Sequence, residues 1–207
     1  MRRLSVLAAF SLALSSTSAC AHWFNDADKA DLDRISASLN TIRTMKGGFI
    51  QIGPDGQVDE GEFDLMKPGR IRFQYDPPTP TLIVSDGKTV AVENTRLKTI
   101  DRYSLSDTPL DIILADNIDL KRNSDIIGIE HQPDALIVRA HSGNFGVHAD
   151  VTMTFAEPTL ELKQWTVVDN QGLSTTVALK RTQTGVAIPA DLFVVPDKNA
   201  FKKKAGG

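Results

Sequence analysis

The 207-residue sequence has a single cysteine, Cys20, so no internal disulfide framework is available to it. It also lacks an excess of cations. Lys and Arg number 23 against 26 Asp and Glu, a formal net charge of −3, which offers nothing for a nucleic acid to hold. Apart from residues 4–14 there is no long hydrophobic run, and that one is too short to span a bilayer. Catalytic signatures are missing as well. No G-x-S-x-G elbow and no HExxH pair occurs. Gly87-Lys88-Thr89 matches the end of a phosphate-binding loop, but Leu82 stands where the first glycine is required. His131, His141 and His148 lie in or beside predicted strands, without the cysteine or histidine partners of a metal site, and read as surface or turn residues. His148 and Asp150 are able to share a strand face. A hydrolase acting on a lipid or glycan would have only His141, His148 and Asp150 to work with, and no nucleophile. The expectation is a protein that is not an enzyme, with no cofactor, no metal and no nucleic-acid partner.

What is present begins at the N-terminus. Met1-Arg2-Arg3 precedes the apolar run, and small residues lead to Ala19-Cys20-Ala21, the pattern of a cleaved secretory signal. This predicts residues 1–21 as a signal peptide, a single domain over 22–198, a basic tail over 199–207 containing Lys202-Lys203-Lys204, and export from the cytoplasm. Lipidation of Cys20 would require a large aliphatic residue three positions earlier, where Thr17 stands. Removing Arg2 and Arg3 leaves 21 basic against 26 acidic residues, a formal charge of −5.

Periodicity then divides the chain. Over residues 26–46, Leu32, Ile35, Leu39, Ile42 and Met45 recur at spacings of three and four, which predicts an amphipathic helix ended by Gly47-Gly48. Beyond it the period is two. Strands are expected at 48–52, 58–65, 70–75, 81–84, 89–93, 97–101, 126–131, 135–140, 149–155, 161–168 and 173–180, with turn residues such as Pro54-Asp55-Gly56 and Lys67-Pro68-Gly69 between them. Residues 107–116 interrupt this as a short apolar helix, with Asp107 or Thr108 as N-cap, Pro109 in the first turn, and Leu110, Ile113 and Leu114 on one side. A polar loop is expected over 117–125. Eleven antiparallel strands expose more apolar face than two such helices can cover, so the sheet should curl with the helices plugging its open side.

Residues 60–78, EGEFDLMKPGRIRFQYDPP, alternate cleanly. Phe63, Leu65, Ile71, Phe73 and Tyr75 fall on one face of a ribbon and charged or polar residues on the other. Together with Phe49-Ile50-Gln51, Ser85-Asp86-Gly87-Lys88, Thr108-Pro109-Leu110, Val168-Asp169-Asn170-Gln171-Gly172 and Phe193, this block resembles the periplasmic outer-membrane lipoprotein carrier (LolA) family, over roughly residues 30–198.

The resemblance implies a mainly β fold with two helices (α+β): an incomplete antiparallel β-barrel of about eleven strands, closed by a helical lid over a hydrophobic cavity. It also implies the periplasm as the destination of export. Members take triacylated lipoproteins from an inner-membrane ATP-driven exporter and deliver them to an outer-membrane receptor; a monomer is the family expectation. On that basis Phe63, Leu65, Ile71, Phe73 and Tyr75 are expected to contact acyl chains or the lid, with Leu39, Ile42, Leu110, Ile113 and Leu114 facing them. Met45, Phe49, Phe155 and Trp165 are expected to be structural core. Lys67 stands where the family commonly has an arginine that fastens the lid to backbone carbonyls. Lysine lacks the planar fork, so the resemblance implies a looser latch, or one taken over by Arg70 or Arg72. The alternative is a membrane-anchored lipoprotein receptor or envelope-stress sensor on the same fold, which would require an acylated Cys20.

Overall fold

Residues 24–142 and 149–197 are described by the structure, a computed structural model. The predicted signal segment with Cys20, as well as His148 and the basic tail, lies outside the described residues.

Helix α1 (Asp26–Thr41) starts at a capping box: the Asn25 side chain accepts from the Asp28 amide, and the Asp28 carboxylate accepts from the Asn25 amide. Leu32, Ile35 and Leu39 form its buried stripe. The helix is shorter than its apolar spacing suggests. Ile42 is already extended (φ −82°, ψ 110°), and strand β1 (Thr44–Ile52) takes in Met45, Gly47 and Gly48. Those glycines do not terminate a helix. A Cβ on Gly47 would lie 2.9 Å from the Lys180 carbonyl oxygen and 3.1 Å from the Phe63 ring, so glycine is needed there for close approach within the sheet.

The remaining strands are β2 (Val58–Met66), β3 (Arg70–Tyr75), β4 (Thr81–Asp86), β5 (Thr89–Asn94), β6 (Thr99–Ser104), β7 (Ile126–Gln132), β8 (Ala135–Ser142), β9 (Ala149–Ala156), β10 (Leu162–Asp169) and β11 (Ser174–Thr184). They form one antiparallel sheet in the order β6-β5-β4-β3-β2-β1-β11-β10-β9-β8-β7. Two meanders are thus joined where β1 pairs with β11, and the sheet does not close: β6 and β7 remain its edges.

The interruption between β6 and β7 differs from the ten-residue helix expected. A 3₁₀ turn (Leu105–Asp107) comes first. Thr108 is then extended (ψ 148°), as a residue preceding proline tends to be, and helix α2 covers only Leu110–Leu114. Neither Asp107 nor Thr108 caps α2, whose N-cap position is Pro109; the Thr108 hydroxyl bonds back to the Leu105 carbonyl. The segment after α2 is not simply a polar loop. Ile118 and Leu120 are buried in the core, and α1 satisfies their backbone: Asn40 bonds both the amide and the carbonyl of Ile118, and Ser36 Oγ accepts from the Leu120 amide. Polarity of the segment as a whole concealed these two anchors.

Residues from both meanders, α1 and α2 make one core on the concave side. On the convex side a second, small cluster forms. Val84 and Ala91 are buried there, and the 3₁₀ turn Ala190–Phe193 packs against β3 and β4 with Phe193 buried.

Candidate functional site

In the stretch 60–78, β2 and β3 pair so that Phe63 faces Phe73, Leu65 faces Ile71 and Gly61 faces Tyr75. All five apolar side chains are buried, while Glu62 and Gln74 on the other face are exposed. Phe73 is the centre of an aromatic cluster, with ring centroids 5.1 Å from Phe49, 6.1 Å from Phe63 and 6.2 Å from Trp165. Tyr75 stacks edge-on with Phe49 and donates its hydroxyl to Gln51 Oε1 at 2.7 Å. Burial pushes the Tyr75 phenol up to about 12, with the Asp59 carboxylate reinforcing it and the Gln51 bond opposing.

The greasy face is not wholly spent on self-packing. Two hollows lie between sheet and helices, of about 120 Å³ and 180 Å³. The first is bounded by Leu39, Ile42, Phe63, Leu65, Lys67, Ile71, Phe73 and Ile113, and the second by Phe73, Tyr75 and Leu110. Every residue expected at the acyl-binding or lid-contact surface therefore borders a hollow except Leu114. Leu114 is fully buried in the core, and its carbonyl accepts from the Gly69 amide at 2.8 Å. Phe73 and Trp165 border both hollows. Trp165 and Met45 are buried as structural core should be, yet they also line the first hollow, and Phe49 lines the second.

Alternation along the chain did not reveal the far wall. Thr175, Val177 and Leu179, all at odd positions of β11, face the hollows, and so do Thr182 and Thr184, at even positions. A β-bulge accounts for the change of parity: the β1–β11 register slips between Lys46 and Gly48, beside Arg181 at φ +52°. Bulges re-aim the side chains that follow them. This one turns Thr182 and Thr184 toward the first hollow, whose polar border Glu161 completes from just before β10.

Lys67 sits at the junction of lid and sheet. It is only 6% exposed, and its Nζ donates to the Leu39 carbonyl in the last turn of α1 at 3.0 Å. Cations favour such helix C-termini. The Lys67 amide donates to the Arg43 carbonyl, and the neighbouring Gly69 amide to that of Leu114. The turn between β2 and β3 thus touches the C-terminal ends of both helices. Gly69 is required there, since at φ +72° a Cβ would meet Gly87 Cα at 2.6 Å. Arg43 Nη1 pairs with Asp116 at 2.7 Å across the same junction. Arg72 instead bonds Gln74 on the exposed face. Burial lowers the Lys67 ammonium to about 8, the Arg43 charge adding to this and Asp116 opposing.

Among the described residues no cluster of His, Cys, Asp and Glu is arranged to hold a metal. His141 pairs with Asp150 across β8 and β9 at 2.6 Å, and His131 with Asp31 of α1 at 2.8 Å, both on exposed surface.

Residues 40–196 match the family model described as outer membrane lipoprotein carrier protein LolA. The chain belongs to that family. Among similar proteins, the outer-membrane lipoprotein carrier protein of Pseudomonas entomophila (strain L48) is 25% identical over 203 residues, 93% of this chain and 94% of that one. The protein of the same name from Azotobacter vinelandii is 29% identical over 134 residues and is spanned for 60% of its length, as is 60% of this chain. In fold, the LolA superfamily protein NE2245 from Nitrosomonas europaea is similar at a TM-score of 0.42 and 10% identity, over 79% of this chain and 97% of that chain.

Proposed function

We propose that this protein is a periplasmic, non-enzymatic carrier that takes triacylated lipoproteins from an inner-membrane ATP-driven exporter and hands them to an outer-membrane receptor. The observation that carries this reading is the pair of apolar hollows meeting at Phe73 and Trp165 beneath α1 and α2. Family membership supports it.

At about 0.8 kcal/mol per buried methylene, acyl chains of some forty carbons in total cost tens of kcal/mol to expose to water, so cargo must be covered throughout transit. Hollows of about 120 and 180 Å³ are smaller than the roughly 300–1,000 Å³ of typical ligand pockets. Loading therefore requires the helices to move. Apart from the buried Lys67–Leu39 bond, the side-chain pairs Arg34–Glu157 and Asp31–His131 that tie α1 to the rest of the fold are surface contacts, each worth about 0–1 kcal/mol. Opening exposes Leu32, Ile35 and Leu39, at about 1.5–3 kcal/mol each, which acyl chains offset by covering the same apolar surface, and cargo leaves again for an acceptor of higher affinity.

Native mass spectrometry of protein released from the cell envelope should find triacylated lipoprotein bound. Ile71→Asp, which places a carboxylate on the wall of the first hollow, should abolish this cargo while the protein is still secreted and retains its β-sheet circular dichroism. Folded Ile71→Asp protein with full lipoprotein loading would refute the carrier reading.

A further inference from the structure

Lys67 combines features that a lid fastener does not need. Its side chain borders the first hollow and is more than nine-tenths buried. An ammonium has three donors, and here one is given to the Leu39 carbonyl. Among the described residues no carboxylate pairs with it: Asp116, the acidic group that acts on it, is engaged by Arg43. Burial depresses its proton affinity, so an oxygen acceptor delivered into the hollow would relieve a cation that the surroundings disfavour. If α1 moves away, the Leu39 carbonyl goes with it, and the donor it occupied opens to water or to the head of an entering chain. Thr182 and Thr184, turned inward by the bulge, add hydroxyls to the same border.

We propose that the Lys67 ammonium is a head-group site for acyl ligands, exchanging the Leu39 carbonyl of the closed lid for a carbonyl oxygen of the bound acyl group, with Thr182 and Thr184 forming the polar wall beside it. The proposal rests on the carrier reading and specifies what within the cargo is recognised: the oxygen at the head of a chain, whether ester, amide or free carboxylate. Ligand head and lid then compete for one donor, so entry of a chain and release of α1 become the same event.

The test uses the mature protein and three probes: a tripalmitoylated cysteinyl peptide, its trihexadecyl counterpart lacking the ester and amide carbonyls, and palmitate, each measured by displacement of a fluorescent alkyl probe. Wild-type protein should bind the carbonyl-bearing peptide about tenfold or more tighter than the counterpart. Lys67→Met, which keeps an apolar stem of similar length, should erase that ratio, and Lys67→Arg should preserve it. Because the ratio within wild type needs no variant to fold, and because the titration of a ¹⁵N-labelled Lys67 side chain should move to higher pH on loading, misfolding of a variant cannot hide the answer. Equal wild-type affinity for both peptides with an unmoved Lys67 titration overturns the head-group site and leaves the carrier reading standing. Binding of palmitate alone, lost in Lys67→Met, upholds the site for a free fatty acid and removes the carrier reading. Binding of none of the three overturns both.

Discussion

At the scale of single residues, two side chains concentrate the consequences. Lys67 has a pKa near 8 in the closed molecule, against 10.5 for an exposed lysine. Between about pH 8 and 10.5 the opened or unfolded chain keeps a proton that the closed one has released, so stability of the closed form rises with pH across that window and is flat below it with respect to this group. The equilibrium between open and closed lid, followed by Trp165 fluorescence, should shift toward closure over that range in wild type; in Lys67→Arg, whose guanidinium stays charged, the shift should vanish. Phe73 touches Phe49, Phe63 and Trp165 and separates the two hollows. Phe73→Ala should merge them and cost about 3–5 kcal/mol, read as a lower urea midpoint. The apolar roles of both neighbourhoods were legible in the sequence because β2 and β3 alternate without interruption. The contact of Lys67 with Leu39, 28 residues away, was not legible in the residues themselves, since no local pattern encodes it; it entered as an expectation through the family resemblance.

At the scale of elements, α1 shows why boundaries are harder to read than existence. Its apolar stripe was plain, but Ile42 and Met45 continued the helical spacing into a segment that β2 and β11 claim from both sides. Pairing along two ladders outweighs a few residues of helical propensity. The segment 117–125 misled in the opposite direction, because two apolar residues among polar ones carry no period. Its attachment to α1 is concentrated at Asn40, which bonds the amide and the carbonyl of Ile118 at 2.9 and 2.8 Å. Asn40→Ala should leave both groups unsatisfied, cost about 1–3 kcal/mol, and raise hydrogen exchange at the Ile118 amide more than in the sheet. The bulge in β11 was invisible to a reading by alternation: Arg181 has no sequence mark of a positive φ, and the parity change it produces is what brings Thr182 and Thr184 to the hollow.

At the scale of the whole molecule, an eleven-stranded sheet that stays open needs something over its concave side, and α1, α2 and residues 116–121 provide it. The cover is fixed at the C-terminal ends of both helices by one turn, residues 67–69, along α1 by the buried Leu32, Ile35 and Leu39, and at its rim by the surface pair Arg34–Glu157. Loading with a tripalmitoylated peptide should therefore increase hydrogen exchange across α1 while β2 and β3 stay protected; unchanged α1 exchange in a demonstrably loaded protein would place the acyl chains elsewhere.

The sequence by itself determined the eleven strands, their turns, the greasy face of β2 and β3, and the presence of an amphipathic helix before them, because each rests on a period of two or of 3.6 between near neighbours. Tertiary structure alone decided where α1 ends, that Ile118 and Leu120 are anchors, that β11 changes parity, and that two hollows remain beneath the helices. Those depend on how far a curved sheet can be filled by the side chains that happen to meet across it, and that volume is a property of contacts between residues distant in the chain.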